Sequence, residues 1–166
     1  MASTTPQAGG RITASLLAGI APLAVIKGAD ETVTSSTTLQ NDDALFLPVV
    51  TNASYLMFCY LNFEGGTGGS SDLKWSWTSP TSSTVRCQPI YVDNSNATQV
   101  GTGEYTSLQL AARTAGAGTL RALTMIGTFV TTTTAGNLQL QWSQNTSSGT
   151  GTIVHAQSFL ALWRIS

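Results

Sequence analysis

The run over residues 55–63 constrains the chain more than any other stretch of it. Tyr55, Met57, Cys59, Leu61 and Phe63 fall on one side of a period-two pattern, and Leu56, Phe58 and Tyr60 fall on the other. Period two is the side-chain repeat of a β-strand. A strand that is apolar on both faces needs cover on both sides. The core of a sandwich supplies one cover, and the other calls for a partner. Tyr55, Met57, Phe58, Tyr60 and Leu61 are therefore the candidate oligomer interface.

The rest of the chain reads as further strands. Residues 32–39 are β-branched and rich in Ser and Thr, and Asn41-Asp42-Asp43 reads as the turn that closes them. Residues 45–50 follow, with Pro48 marking an edge or a bend. Gly65, Gly66, Gly68 and Gly69 make a loop; no Lys-Ser/Thr pair stands at the offset a phosphate-binding loop requires. Leu73, Trp75 and Trp77 alternate with Lys74, Ser76 and Thr78, a half-buried strand. Residues 85–92 and 105–110 read as strands, the second weaker than the first. Asp93-Asn94-Ser95-Asn96 turns the chain between them. Residues 120–133 are a long strand in which Gly127 suggests a bulge or bend. Ala135-Gly136-Asn137 reads as a hairpin turn into Leu138, Leu140 and Trp142. Residues 153–165 end the chain as one or two strands. About eight to ten strands in this pattern predict an all-β fold, an antiparallel jelly-roll-like β-sandwich.

The N-terminal segment stands apart from that pattern. Between Arg11 and Lys27 lie fifteen residues without a formal charge. They resemble a secretory signal on paper, but Pro22 interrupts them, a polar leader precedes Arg11, and no small-x-small cleavage site follows. They are also short of the ~20 residues that span a bilayer. The reading favoured is a docking arm, extended or a short helix, over residues 1–28, with the sandwich over residues 29–166. Ile12, Leu16, Leu17 and Ile20 recur at helical spacing; with Arg11 they are the candidate docking residues.

Chemistry is hard to assemble from the remaining residues. There is one histidine, His155, so no Ser-His-Asp or Cys-His device has a second to draw on. His155, Cys59 and Cys87 lie too far apart in sequence to read as a zinc site. The acids fall mostly at strand ends, where they form turns, and Asn41-Asp42-Asp43 lacks the spaced pattern of a calcium loop. Trp75, Trp77 and Trp142 keep register with aliphatic neighbours, which reads as core or interface rather than a stacking platform. The two cysteines are buried hydrophobes or a single inter-strand bridge. Charged residues make up only 9% of the chain and the net charge is −1, against about 25% charged in an ordinary soluble domain. Without a basic cluster, neither nucleic acid nor a membrane surface is an expected partner. The expectation is a protein with no catalytic residues, no metal and no cofactor.

Three stretches carry a family resemblance. They are Arg11-Ile12-Thr13-Ala14-Ser15-Leu16-Leu17, then Ala29-Asp30-Glu31-Thr32-Val33-Thr34-Ser35-Ser36-Thr37-Thr38-Leu39-Gln40-Asn41-Asp42-Asp43, and Leu138-Gln139-Leu140-Gln141-Trp142-Ser143-Gln144-Asn145-Thr146. The chain resembles, over nearly its whole length after residue 10, small virion structural proteins of tailed phages of actinobacteria. Members act as capsid decoration (minor capsid) proteins, head fibres or tail-associated proteins. The resemblance implies a trimeric β-sandwich held on the particle by its N-terminal segment. Its partners would be itself, as a homotrimer, and the major capsid protein or another virion protein. Its place would be the outer surface of a particle made in the host cytoplasm. The alternative within the same resemblance is a host- or glycan-binding module on a tail or head fibre.

Overall fold

The computed structural model describes residues 11, 13, 21–65, 73–92, 98–100, 105–106, 111–113 and 119–166. Thirteen strands are assigned among these residues, and no helix. They form two antiparallel sheets, so the fold is a β-sandwich. The larger sheet runs β1 (Leu23–Ile26), β13 (Phe159–Arg164), β4 (Ser54–Glu64), β10 (Arg121–Val130), β6 (Thr84–Val92), β7 (Thr98–Val100). On the same sheet β12 (Thr152–Val154) bridges β4 and β2 (Glu31–Val33), and β8 (Tyr105–Thr106) pairs with β6. The smaller sheet runs β3 (Gln40–Val49), β11 (Gly136–Gln144), β5 (Leu73–Thr78), β9 (Ala111–Arg113).

Four of the pairings nest inside one another along the chain: β1 with β13, β3 with β11, β4 with β10, β5 with β9. Successive pairs lie in alternate sheets, and β6, β7 and β8 extend the larger sheet beyond β10. The apolar halves of the alternating patterns meet between the sheets. Tyr55, Met57, Cys59, Leu61 and Phe63 of β4 line the core with Leu123, Met125 and Phe129 of β10. Facing them are Leu45, Leu47 and Val49 of β3, Trp75 and Trp77 of β5, and Leu138, Leu140 and Trp142 of β11. Trp142 stands opposite Trp75, and Leu140 opposite Trp77. Such pairs of large side chains are the main stabilising contacts across a ladder.

The structure corrects several expectations drawn from the sequence. Residues 23–26 are not part of a free arm. They pair in register with β13 as the edge of the larger sheet, so the sandwich begins before residue 29. Asn41-Asp42-Asp43 is not a turn but the first part of β3, and Asp42 is fully buried. Residues 131–135 do not close a hairpin, because β10 and β11 belong to different sheets. The link crosses the end of the sandwich and is held by Thr131. Its Oγ1 donates to Val50 O (2.6 Å) and accepts from Ala53 N (3.0 Å). Gly127 makes no bulge, since both ladders of β10 run through it without a register shift. A Cβ there would overlap the Arg86 carbonyl oxygen and stand 2.6 Å from Cys87 Cα, so glycine is required by the close approach of β6. Cys59 and Cys87 are free thiols on either side of β10, not a bridge. Pro48 does lie in an edge strand, β3, the place in a sheet where proline is found.

Candidate functional site

The surface most in need of explanation is the outer face of the larger sheet. Alternation in β4 turns Leu56, Phe58 and Tyr60 away from the core, and the registers set them in rows. Across Tyr60 lie Thr124, Phe159 and, beyond Phe159, Ile26. Phe58 stands beside Ile126 and Ala161, and Leu56 beside Thr128 and Trp163. Phe159 meets Phe58 edge-on with ring centroids 5.2 Å apart, and stacks on Tyr60 at 5.8 Å. Around this aromatic centre Leu56 is 48% exposed, Ile126 53%, Trp163 41% and Ile26 67%. The polar groups in these rows are mainly neutral (Thr124, Thr128, Gln88), with Arg86 opposite Thr128. These rows form an apolar surface with few charges at its margin.

Of the interface residues expected from sequence, Phe58 and Tyr60 are on this face and half-buried. Tyr55, Met57 and Leu61 are 2% exposed or less and point into the sandwich, so they cannot meet a partner. The same face recruits Ile126, Phe159 and Trp163, which sequence reasoning left out. Their signal was cross-strand register, which no single strand carries. Of the expected docking residues Arg11 is exposed. Ile12, Leu16, Leu17 and Ile20 lie outside the described residues.

A second cluster ties the first strand to the sandwich. Lys27 is 3% exposed, and its Nζ donates to Glu31 Oε2 (2.6 Å) and Asp42 Oδ2 (2.9 Å). Burial works against its charge, but the hydrogen bonds from Glu31 and Asp42 outweigh that and raise its pKa above the ordinary value. Asp42 Oδ2 also accepts from Trp142 Nε1 (3.0 Å), and Oδ1 accepts from the amides of Ala44 and Leu45. The Asp42 carboxylate is thus committed to the fold rather than open to calcium. Nearby, Asp30 accepts from Ala156 N (2.8 Å) and pairs with His155 Nδ1 (3.1 Å). The Ala156 amide, then His155, lowers the Asp30 pKa. His155 thus joins the β12–β13 link to the segment after β1, and Glu64 Oε2 stands 3.9 Å from its Nε2. Burial raises both thiols, Cys87 to about 12, with Trp77 acting in the opposite sense; neither is an activated nucleophile. Among the described residues no three His, Cys, Asp or Glu side chains group as metal ligands. No helix there is long and apolar enough to cross a membrane.

No protein-family profile matches the chain, and no curated protein does. Among solved structures it is similar to one of the infectious bursal disease virus Gx strain, at 10% identity and a TM-score of 0.20, over 87% of this chain and 42% of that one. A structure of the Gt strain is similar at 9% identity and a TM-score of 0.21, over 86% of this chain and 41% of that one. This chain spans less than half the length of either. These weak neighbours are viral, and a likeness of this size does not establish a common fold.

Proposed function

We propose that this chain is a non-catalytic structural protein of a phage particle, a decoration protein that self-associates and binds the outer surface of the capsid. The observation that carries the reading is the largely apolar, charge-poor outer face of the larger sheet, which a closed oligomer would cover. The resemblance to actinobacterial phage proteins supplies the particle. The four nested strand pairs support a jelly-roll winding, an architecture common in virion proteins. Repeated weak contacts from a symmetric oligomer would hold such a protein on a lattice.

The test is particle binding by full-length protein against a form lacking residues 1–20, which keeps β1. Loss of capsid binding by a truncation that still folds is the expected result. Undiminished binding overturns the anchor. Light scattering that shows a monomer at all concentrations overturns the oligomer.

The fibre reading rests on one residue. Trp75, Trp77 and Trp142 are buried and offer no platform for a sugar, whereas Trp163 is 41% exposed. Binding to host cell-wall glycans that disappears in Trp163→Ala would favour this alternative over decoration.

A further inference from the structure

The group around Lys27 holds an amine against a carboxyl inside the fold, and the ion pair uses only part of what surrounds it. Lys27 follows β1 of the larger sheet, and Asp42 lies in β3 of the smaller one. Their side chains are 3% and 0% exposed, with Nζ 2.9 Å from Asp42 Oδ2. The carboxyl carbon is one bond further on. The two oxygens of that carboxyl have different settings. Oδ1 accepts from two backbone amides, Ala44 N at 2.9 Å and Leu45 N at 2.8 Å. Oδ2 accepts from the indole N–H of Trp142 at 3.0 Å. A third group, Glu31 Oε2, lies 2.6 Å from Nζ and is held there by Asp43 N at 3.3 Å. These are the parts of an acyl transfer. They comprise an amine nucleophile shielded from water, a carboxylate placed to carry its proton, and two N–H groups on the oxygen where negative charge would develop. Fixing the amine against the carboxyl also replaces a bimolecular encounter, which favours the amide over the free groups.

We propose that Lys27 Nζ and Asp42 Cγ condense into an intramolecular amide, a covalent cross-link between the two sheets. The ion pair already carries the protons the reaction needs. One passes from the ammonium to Asp42 Oδ2, giving a neutral amine and a neutral carboxyl at unchanged net charge. Burial penalises both charges and so lowers the cost of that exchange. Nζ then bonds to Cγ, and Glu31 takes a second proton from the nitrogen while negative charge gathers on Oδ1 beneath the two amides. As the Oδ1 carbonyl re-forms, the Cγ–Oδ2 bond breaks with its electron pair going to the oxygen. Glu31 returns its proton to that oxygen, so one water leaves, one proton stays on the amide nitrogen, and Glu31 ends as the carboxylate it began as. A cleft of about 140 Å³, lined by Lys27, Glu31, Asp43 and Ala44 among others, gives the water a way out. The reaction runs once and consumes its own residues, so the mature protein stays non-catalytic. It requires neither an oligomer nor a particle and stands apart from the function proposed above. The titration of Lys27 belongs to the ion-paired state that precedes the bond. Once formed, the bond closes the chain between residues 27 and 42 and ties β1 to the opposite sheet.

The test is the intact mass of the full-length chain, measured after denaturation. Wild type is expected to be lighter than its sequence by one water. Trypsin acting on the unfolded chain is expected to leave Lys27 uncut, and fragmentation to place the loss on Lys27 joined to Asp42. Glu31→Gln keeps an acceptor toward Nζ but removes the proton carrier; it is expected to fold, by circular dichroism, and to keep its full mass. Lys27→Arg is expected to keep its full mass as well. A folded wild type at full mass, both fresh and after prolonged incubation, overturns the cross-link, and this measurement decides even where a variant fails to fold. A water lost at Asp42 while trypsin still cuts after Lys27 marks a cyclic imide with the backbone and overturns it too. Loss of water from Glu31→Gln as fast as from wild type overturns the role given to Glu31.

Discussion

At the scale of single residues, Lys27 and Gly127 hold positions that no other residue fills. Lys27 carries a buried charge answered by Asp42 and Glu31. Lys27→Met would leave Asp42 buried with no cation, and breaking a buried pair in this way costs about 3–5 kcal/mol. Chemical denaturation should show a loss of that size. The pH dependence follows from the raised pKa of Lys27. The stabilisation is complete below the unfolded-state value near 10.5 and is lost as pH rises through the folded-state value above it. Ion-paired wild type should therefore lose more stability than Lys27→Met as pH rises above 10.5, whereas equal losses would contradict the pairing. At Gly127 the obstacle is backbone, Arg86 and Cys87 of β6, which cannot swing aside. Gly127→Ala should cost about 1–3 kcal/mol through overpacking, read as a lowered denaturation midpoint.

At the scale of elements, β4 shows what a sequence states openly and β1 shows what it hides. The two-sided alternation of residues 55–63 fixes the strand and its two faces but not which of them is inner, and Tyr55, Met57 and Leu61, expected at an interface, lie in the core. The truncation Leu61→Ala, in the core, should cost about 2–5 kcal/mol, while Leu56→Ser on the outer face should stay within about 0.5 kcal/mol. Equal effects would mean the register is wrong by one residue. The strand β1 was concealed because Leu23-Ala24-Val25-Ile26 continues the uncharged N-terminal run, and nothing local says that it pairs with residues 159–162. Asp42 was concealed for a related reason. Asn-Asp-Asp is turn chemistry unless a buried cation fifteen positions away and a tryptophan one hundred positions away claim the carboxylate. The outer face was half legible, since Phe58 and Tyr60 follow from period two, whereas Ile126, Phe159 and Trp163 join them only through register.

At the scale of the whole molecule, the sandwich has a sealed interior and an unsealed outer face, and the two should respond differently to perturbation. Cys59 and Cys87 sit inside, with their thiols held protonated by burial. A thiol reagent at pH 8 should meet neither until the sandwich opens, so labelling should follow the global unfolding equilibrium. The outer face makes the opposite demand. Ile126 is 53% exposed and Leu56 48%, and on facing copies of a symmetric interface each would become desolvated. Placing a charge there adds little strain to the free chain, because the side chain can still reach water. In an oligomer the same charge is buried without a partner, at a cost of several kcal/mol per site, multiplied by the number of copies. Ile126→Lys should therefore keep the wild-type denaturation midpoint when measured dilute, while light scattering at high concentration shows monomer in place of oligomer. An Ile126→Lys protein that still assembles would remove the outer face from the interface.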